Sequence, residues 1–62
     1  MTYIYKTEKG LNKETFKNGF MTLVQNGKQM YQYQFNSIQI KFYEMQLIAA
    51  LEKRGIDYKK IK

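Results

Sequence analysis

The side chains able to do acid–base or nucleophilic chemistry are few. They are the carboxylates Glu8, Glu14, Glu44, Glu52 and Asp57, and one serine, Ser37. Histidine and cysteine are absent, which removes the Ser-His and Cys-His arrangements that activate a nucleophile and leaves few general bases. Glu44 and Glu52 fall on a segment of helical character, but eight residues of helix separate them by ~12 Å along the axis, too far for one shared carboxylate site. Without imidazole or thiolate the usual zinc ligands are missing, and no glycine-rich phosphate cradle or metal-ligand spacing occurs. The expectation is a non-enzymatic protein with no cofactor and no metal.

Cations and aromatic rings are what remain. Lysine plus arginine is 11 against 5 acids, giving a net charge of +6, and Arg54 is the single arginine. Basic chains with tyrosines on strands can stack bases and track phosphates. A single-stranded nucleic-acid surface would here draw on Tyr3, Tyr5, Lys6, Lys28, Tyr31, Tyr33, Lys59, Lys60 and Lys62. The scarcity of arginine disfavours sequence-specific duplex readout, where bidentate contacts to guanine dominate. The charge is also diffuse: residues 1–18 carry +2, 19–36 +1, 37–54 +1 and 55–62 +2, which sums to +6.

These groups must be positioned by a single small domain. At 62 residues, a chain buries only about 60% of the surface its unfolded form exposes, and no disulfide or metal can staple it. Aromatics at 16% and hydrophobics at 44% nevertheless argue for a folded core over disorder. No apolar run approaches the ~20 residues of a membrane span and the first residues lack a signal peptide's apolar region, so no membrane contact and a cytoplasmic location are expected. Abundant Lys, Asn, Ile and Tyr match the bias of an AT-rich genome.

Proline is absent, so Gly, Asn and Asp must make the turns. "TYIYKT" alternates and reads as a first strand. In "LNKETFKNGF", Asn12 is placed as an N-cap, Leu11 and Phe16 as a hydrophobic staple and Gly19 as a terminator, which predicts a helix of one or two turns over 12–18. One continuous strand over 15–25 is the alternative. Asn26-Gly27 between β-rich runs is the strongest short-range hairpin signal, because a type I′ turn needs positive φ at both central residues. Regular pairing from Gln25 opposite Lys28 collects Phe20, Thr22, Val24, Tyr31, Tyr33 and Phe35 on one face, the expected core. Met21, Leu23, Met30, Gln32 and Gln34 fall on the other.

Residues 37–54 read as a helix. Asn36 and Gln39 have capping-box spacing, with Phe35 and Ile40 placed as a staple. Gly55 terminates it, with Ile56 set to meet Leu51 in a Schellman contact. Such a helix has two apolar sides, Ile38, Phe42, Met45 and Ala49 opposing Ile40, Tyr43, Leu47 and Leu51, and two sides need two partners. A helix starting only at Tyr43, after a strand over 38–42, would remove that conflict. "IDYKKIK" then returns as a short strand.

The fold expected is α+β: a small antiparallel sheet built on the 20–25 and 28–35 hairpin, packed against one main helix over 37–54, with short terminal strands. The function expected is occupation of another macromolecule's surface, foremost a protein's, through Met21, Leu23, Met30, Ile40, Tyr43, Leu47 and Leu51. Homodimerisation through the helix and nucleic-acid binding are the further partner expectations. Small basic chains of this kind often serve as regulators or inhibitors in phages and mobile elements, the class adopted here.

Overall fold

The computed structural model describes residues 1–61. It is an α+β fold with the elements β1 (Thr2–Thr7), β2 (Gly10–Lys17), β3 (Phe20–Gln25), β4 (Lys28–Gln34), α1 (Ser37–Lys53) and β5 (Tyr58–Ile61). The strands form one antiparallel sheet in the order β4-β3-β2-β1-β5, and α1 covers one face. Lys62 lies outside the described residues.

Two Asn-Gly steps set the hairpins. Asn26 and Gly27 have φ of 53° and 80°, and Asn18 and Gly19 repeat those values, so both are the positive-φ pairs that a type I′ turn requires. The predicted helix over 12–18 is therefore a strand, and the continuous strand over 15–25 is broken at Asn18-Gly19. In β2, Asn12, Glu14 and Phe16 turn to the buried side, a period of two that only a strand satisfies. Leu11 and Phe16 lie on opposite faces and staple nothing. The first Asn-Gly carries the same turn chemistry as the second and was the signal for this hairpin.

The β1–β2 and β3–β4 turns are fastened together. The Asn26 side chain accepts from the Leu11 amide (3.0 Å) and donates to the Lys9 carbonyl (2.9 Å), while the Asn26 amide donates to the Leu11 carbonyl (2.9 Å). Gly10, at φ 119°, makes room for this side chain, because a Cβ there would stand 2.1 Å from Asn26 Oδ1.

Pairing in the β3–β4 hairpin begins as expected, Gln25 with Lys28 and Val24 with Gln29, and then shifts at a bulge, so that Leu23 faces Tyr31 and Met21 faces Tyr33. Met30 is the extra residue. A one-residue slip turns every subsequent β3 side chain relative to β4. The expected core set is corrected accordingly: Met21 and Leu23 are buried, while Phe20, Thr22 and Val24 face away from the helix and Phe20 is exposed. Tyr31 and Tyr33 do share the helix side, but at an edge where both remain exposed.

α1 runs its full expected length, and the shorter helix from Tyr43 is excluded. The capping box forms as read: Gln39 N–H donates to Asn36 Oδ1 (2.8 Å) and Asn36 N–H to Gln39 Oε1 (3.0 Å). At the other end Ile56 N–H donates to the Leu51 carbonyl (2.9 Å) and Gly55 N–H to Glu52's (3.1 Å), the two bonds of a Schellman motif.

A belt of rings runs across the helix side of the sheet, from the exposed β4 edge into the core. Tyr31–Tyr33 (5.0 Å), Tyr33–Phe35 (6.0 Å), Phe35–Tyr43 (5.8 Å), Tyr43–Phe16 (5.8 Å), Phe16–Tyr3 (6.1 Å) and Tyr3–Tyr58 (5.8 Å) follow one another. Met21 and Leu23 fill in below, and Ile40, Leu47 and Ile48 close it from the helix. Full burial of a side chain such as Met21 stabilises by about 1.5–3 kcal/mol.

Candidate functional site

Cross-strand partners in an antiparallel sheet share a face, so the register sorts every strand residue. The side under the helix carries Tyr3, Tyr5, Asn12, Glu14, Phe16, Met21 and Leu23. The open side carries Ile4, Lys13 and Val24 in one row, Thr2, Thr15 and Thr22 in the next, Lys17 beside Phe20, Lys6 beside Leu11, and Lys59 beside Ile4. Glu14 lies under the helix, Glu44 and Glu52 on it, and Glu8 and Asp57 in connections. Among the described residues, the open face of the sheet therefore presents lysines without an intervening carboxylate.

Under the helix the polar chemistry converges on one group. Glu14 is 2% exposed and forms no ion pair among the described residues. Instead it accepts hydrogen bonds from the Tyr5 hydroxyl and from the Tyr43 hydroxyl (2.9 Å). Burial, reinforced by Glu14, pushes both hydroxyls well above the ordinary tyrosine value, so they remain donors across the neutral range. Nearby, Gln25 donates to Asn12 Oδ1 (3.0 Å). A cleft of about 520 Å³ between α1 and the sheet reaches this cluster, lined among others by Tyr5, Asn12, Glu14, Tyr31, Tyr43 and Arg54. The network satisfies buried polar groups and fixes the helix on the sheet. At the other end of the belt, the Tyr3 hydroxyl donates to Glu44, which also pairs with Lys60 (3.4 Å). Among the described residues no three acidic side chains gather as metal ligands, and no helix is long and apolar enough to cross a membrane.

The helix has the two apolar sides expected, with their roles exchanged. Of the side chains named above for partner contact, Met21, Leu23 and Leu51 are buried, and Ile40, Tyr43 and Leu47 pack half-buried against the core. Met30 is half exposed, at 50%. The opposite side is free: Ile38 is 66%, Phe42 62% and Met45 67% exposed, at the i, i+4, i+7 spacing of one continuous stripe. The end motifs carried the missing orientation signal. Ile40 in the staple and Leu51 in the Schellman contact must both face the body of the protein, which leaves Ile38, Phe42 and Met45 outside.

The nucleic-acid set is divided in the same way. Tyr3 and Tyr5 are buried, and Tyr31 and Tyr33 lie on the helix side of β4, whereas Lys6 and Lys59 lie on the open face. Lys28 starts β4, and Lys60 sits on the helix side over the Tyr3 ring (5.7 Å). Lys13 and Lys17, which sequence reading had not singled out, join the open face through their register. Lysines and tyrosines therefore do not form one surface.

Comparisons of this chain with protein-family models, with curated proteins and with solved structures found no match.

Proposed function

We propose that this chain is a non-catalytic binding protein, of regulator or inhibitor type, that seats the outer side of α1 in an apolar groove of another protein. The observation that carries this reading is the exposed stripe of Ile38, Phe42 and Met45 on a helix whose other side already fills the core. A soluble chain gains nothing by leaving three large apolar side chains in water on one line, and anchors at this spacing are how an amphipathic helix is read by a groove. Lys41 adjoins the stripe, Glu52 and Lys53 lie together beyond its C-terminal end, and the whole chain carries +6, so the long-range charge favours a partner of acidic surface.

Phe42→Asp tests it, because Phe42 contributes to the surface and not to the core. In affinity capture from the native host, one protein should be retained by the wild type and by a Lys13→Gln/Lys17→Gln variant, and lost with Phe42→Asp at unchanged thermal stability. Retention by Phe42→Asp overturns the reading.

A second reading rests on the open face, where Lys6, Lys13, Lys17 and Lys59 stand without a carboxylate among the described residues. Such a face suits non-specific contact with a single-stranded phosphate backbone. Since the tyrosines lie elsewhere, it would work through charge with little base stacking. Fluorescence anisotropy with a single-stranded oligonucleotide across a salt series decides: no salt-dependent binding at low ionic strength removes it.

A further inference from the structure

The sheet ends in two free edges of opposite character. β5 is Tyr58–Ile61, half lysine, and pairing it antiparallel with another β5 would set Lys59 against Lys60. β4 is Lys28–Gln34, exposed at every residue, and its charge is confined to Lys28 at the start. Edges are ordinarily blunted by charge, proline, a bulge or cover. β4 has Lys28 and the bulge at Met30 near its start, and from Tyr31 onward it has none of these.

Its outward hydrogen-bonding groups can be assigned. The Phe35 amide donates to the Gly19 carbonyl (2.7 Å), and the alternation of an antiparallel ladder then directs the Tyr31 and Tyr33 amides to β3 and those of Gln32 and Gln34 outward. We propose that a second copy of this chain pairs with this edge, β4 on β4 and antiparallel, about a two-fold axis at Gln32. In that register Tyr31 of one copy stands opposite Tyr33 of the other on the helix side, and Gln32 stands opposite itself on the open side. Lys28 falls opposite Asn36, which keeps the two Lys28 residues ~27 Å apart, eight residues at ~3.4 Å each.

Charge selects the occupant. Two copies at +6 each repel wherever their cations come within a Debye length, ~8–10 Å at ordinary salt. The segment 29–36 contains no charged residue, so this is the edge at which two copies can approach. It offers an acidic strand no complementary charge; what it matches is a neutral strand of glutamine and tyrosine, and β4 is one. The pairing does not rest on the helix reading. Where both hold, the two-fold is perpendicular to the sheet, so both Ile38–Phe42–Met45 stripes emerge on the same side and one dimer offers a partner two contacts.

Sedimentation equilibrium of the full chain from micromolar to millimolar tests the pairing, with amide exchange at Gln32 and Gln34 followed over the same range. Gln32 is exposed and its side chain donates to Thr22 Oγ1 (3.0 Å), so its replacement touches no core contact. The wild type should dimerise as Gln32 and Gln34 become protected. Gln32→Lys and Gln32→Glu, each placing like charges at the axis, should weaken self-association at least tenfold, and an equimolar mixture of the two should recover it. That recovery also shows that both variants fold. A wild type that stays monomeric throughout, or a dimer indifferent to both Gln32 variants, overturns the proposal. A dimer lost with Phe42→Asp but kept with Gln32→Lys also overturns it, while leaving the helix stripe as an interface.

Discussion

The two faces of the sheet are built from the same strands and differ in almost everything else. Under the helix lie rings, methionine and a carboxylate whose donors are tyrosine hydroxyls; on the open side lie lysine, threonine and scattered aliphatics. Alternation along each strand separates the two sets. The difference shows how a chain this short divides its labour. Stability is concentrated on one side, because burial of large side chains is what offsets chain entropy. Charge is exported to the other, where water solvates it.

The sharpest test of that division is a pair of neighbours on β3. Met21→Ala should cost about 2–5 kcal/mol, the range for emptying a packed core site. Against the ~3–9 kcal/mol expected for 62 residues, much of the molecule's stability would go. Thr22→Ala, one residue along and on the open side, loses only the hydrogen bond from Gln32 and should cost less, about 0.5–1.5 kcal/mol. Urea denaturation of both measures the contrast, and equal losses would break it.

The buried polar group comes next. Glu14→Ala leaves the Tyr5 and Tyr43 hydroxyls without their acceptor and should cost about 1–3 kcal/mol by the same measurement. Tyr43→Phe, which removes one donor and keeps the ring, should cost less, about 0.5–1.5 kcal/mol.

The same hydroxyls predict how the protein responds to alkali. Tyr5 and Tyr43 are raised above the ordinary value of 10.0, so the folded chain holds their protons after the unfolded chain begins to lose them. Stability should therefore be fully present below about pH 10 and fall above it, by up to ~1.4 kcal/mol per pH unit for each such tyrosine. Thermal melts between neutral and strongly alkaline pH, read beside tyrosinate absorbance, check the sign: stability that rises above pH 10 would contradict burial as the cause.

The smallest effect belongs to the open face. Lys13→Gln with Lys17→Gln should leave the unfolding midpoint within about 0.5 kcal/mol of wild type, and should lower the salt slope of oligonucleotide binding by roughly two if these lysines meet phosphates.

Much of the fold was legible locally. Asn26-Gly27 demanded a hairpin because only residues tolerant of positive φ fit a type I′ turn, and Asn36 with Gln39 at one end and Gly55 with Ile56 at the other bounded the helix because its end groups need those partners. The strand at 12–17 was not. Its buried positions are Asn12, Glu14 and Phe16, so no apolar alternation marks it, and the strand is made by backbone bonds to β1 and β3, which belong to residues distant in sequence. The candidate surface was harder to read. Both sides of α1 are apolar, so periodicity alone could not rank them.

The sequence by itself determined where the chain turns, where the helix begins and ends, and that catalytic groups would be sparse, since each of these depends on residue type and near neighbours. Only the tertiary structure decided which side of each element is buried. One inserted residue at Met30 exchanged the faces of β3, and docking on that sheet chose Ile40, Tyr43 and Leu47 over Ile38, Phe42 and Met45. Facing has a period of two in a strand and is nearly two-fold degenerate in this helix, so it is settled by packing between distant segments.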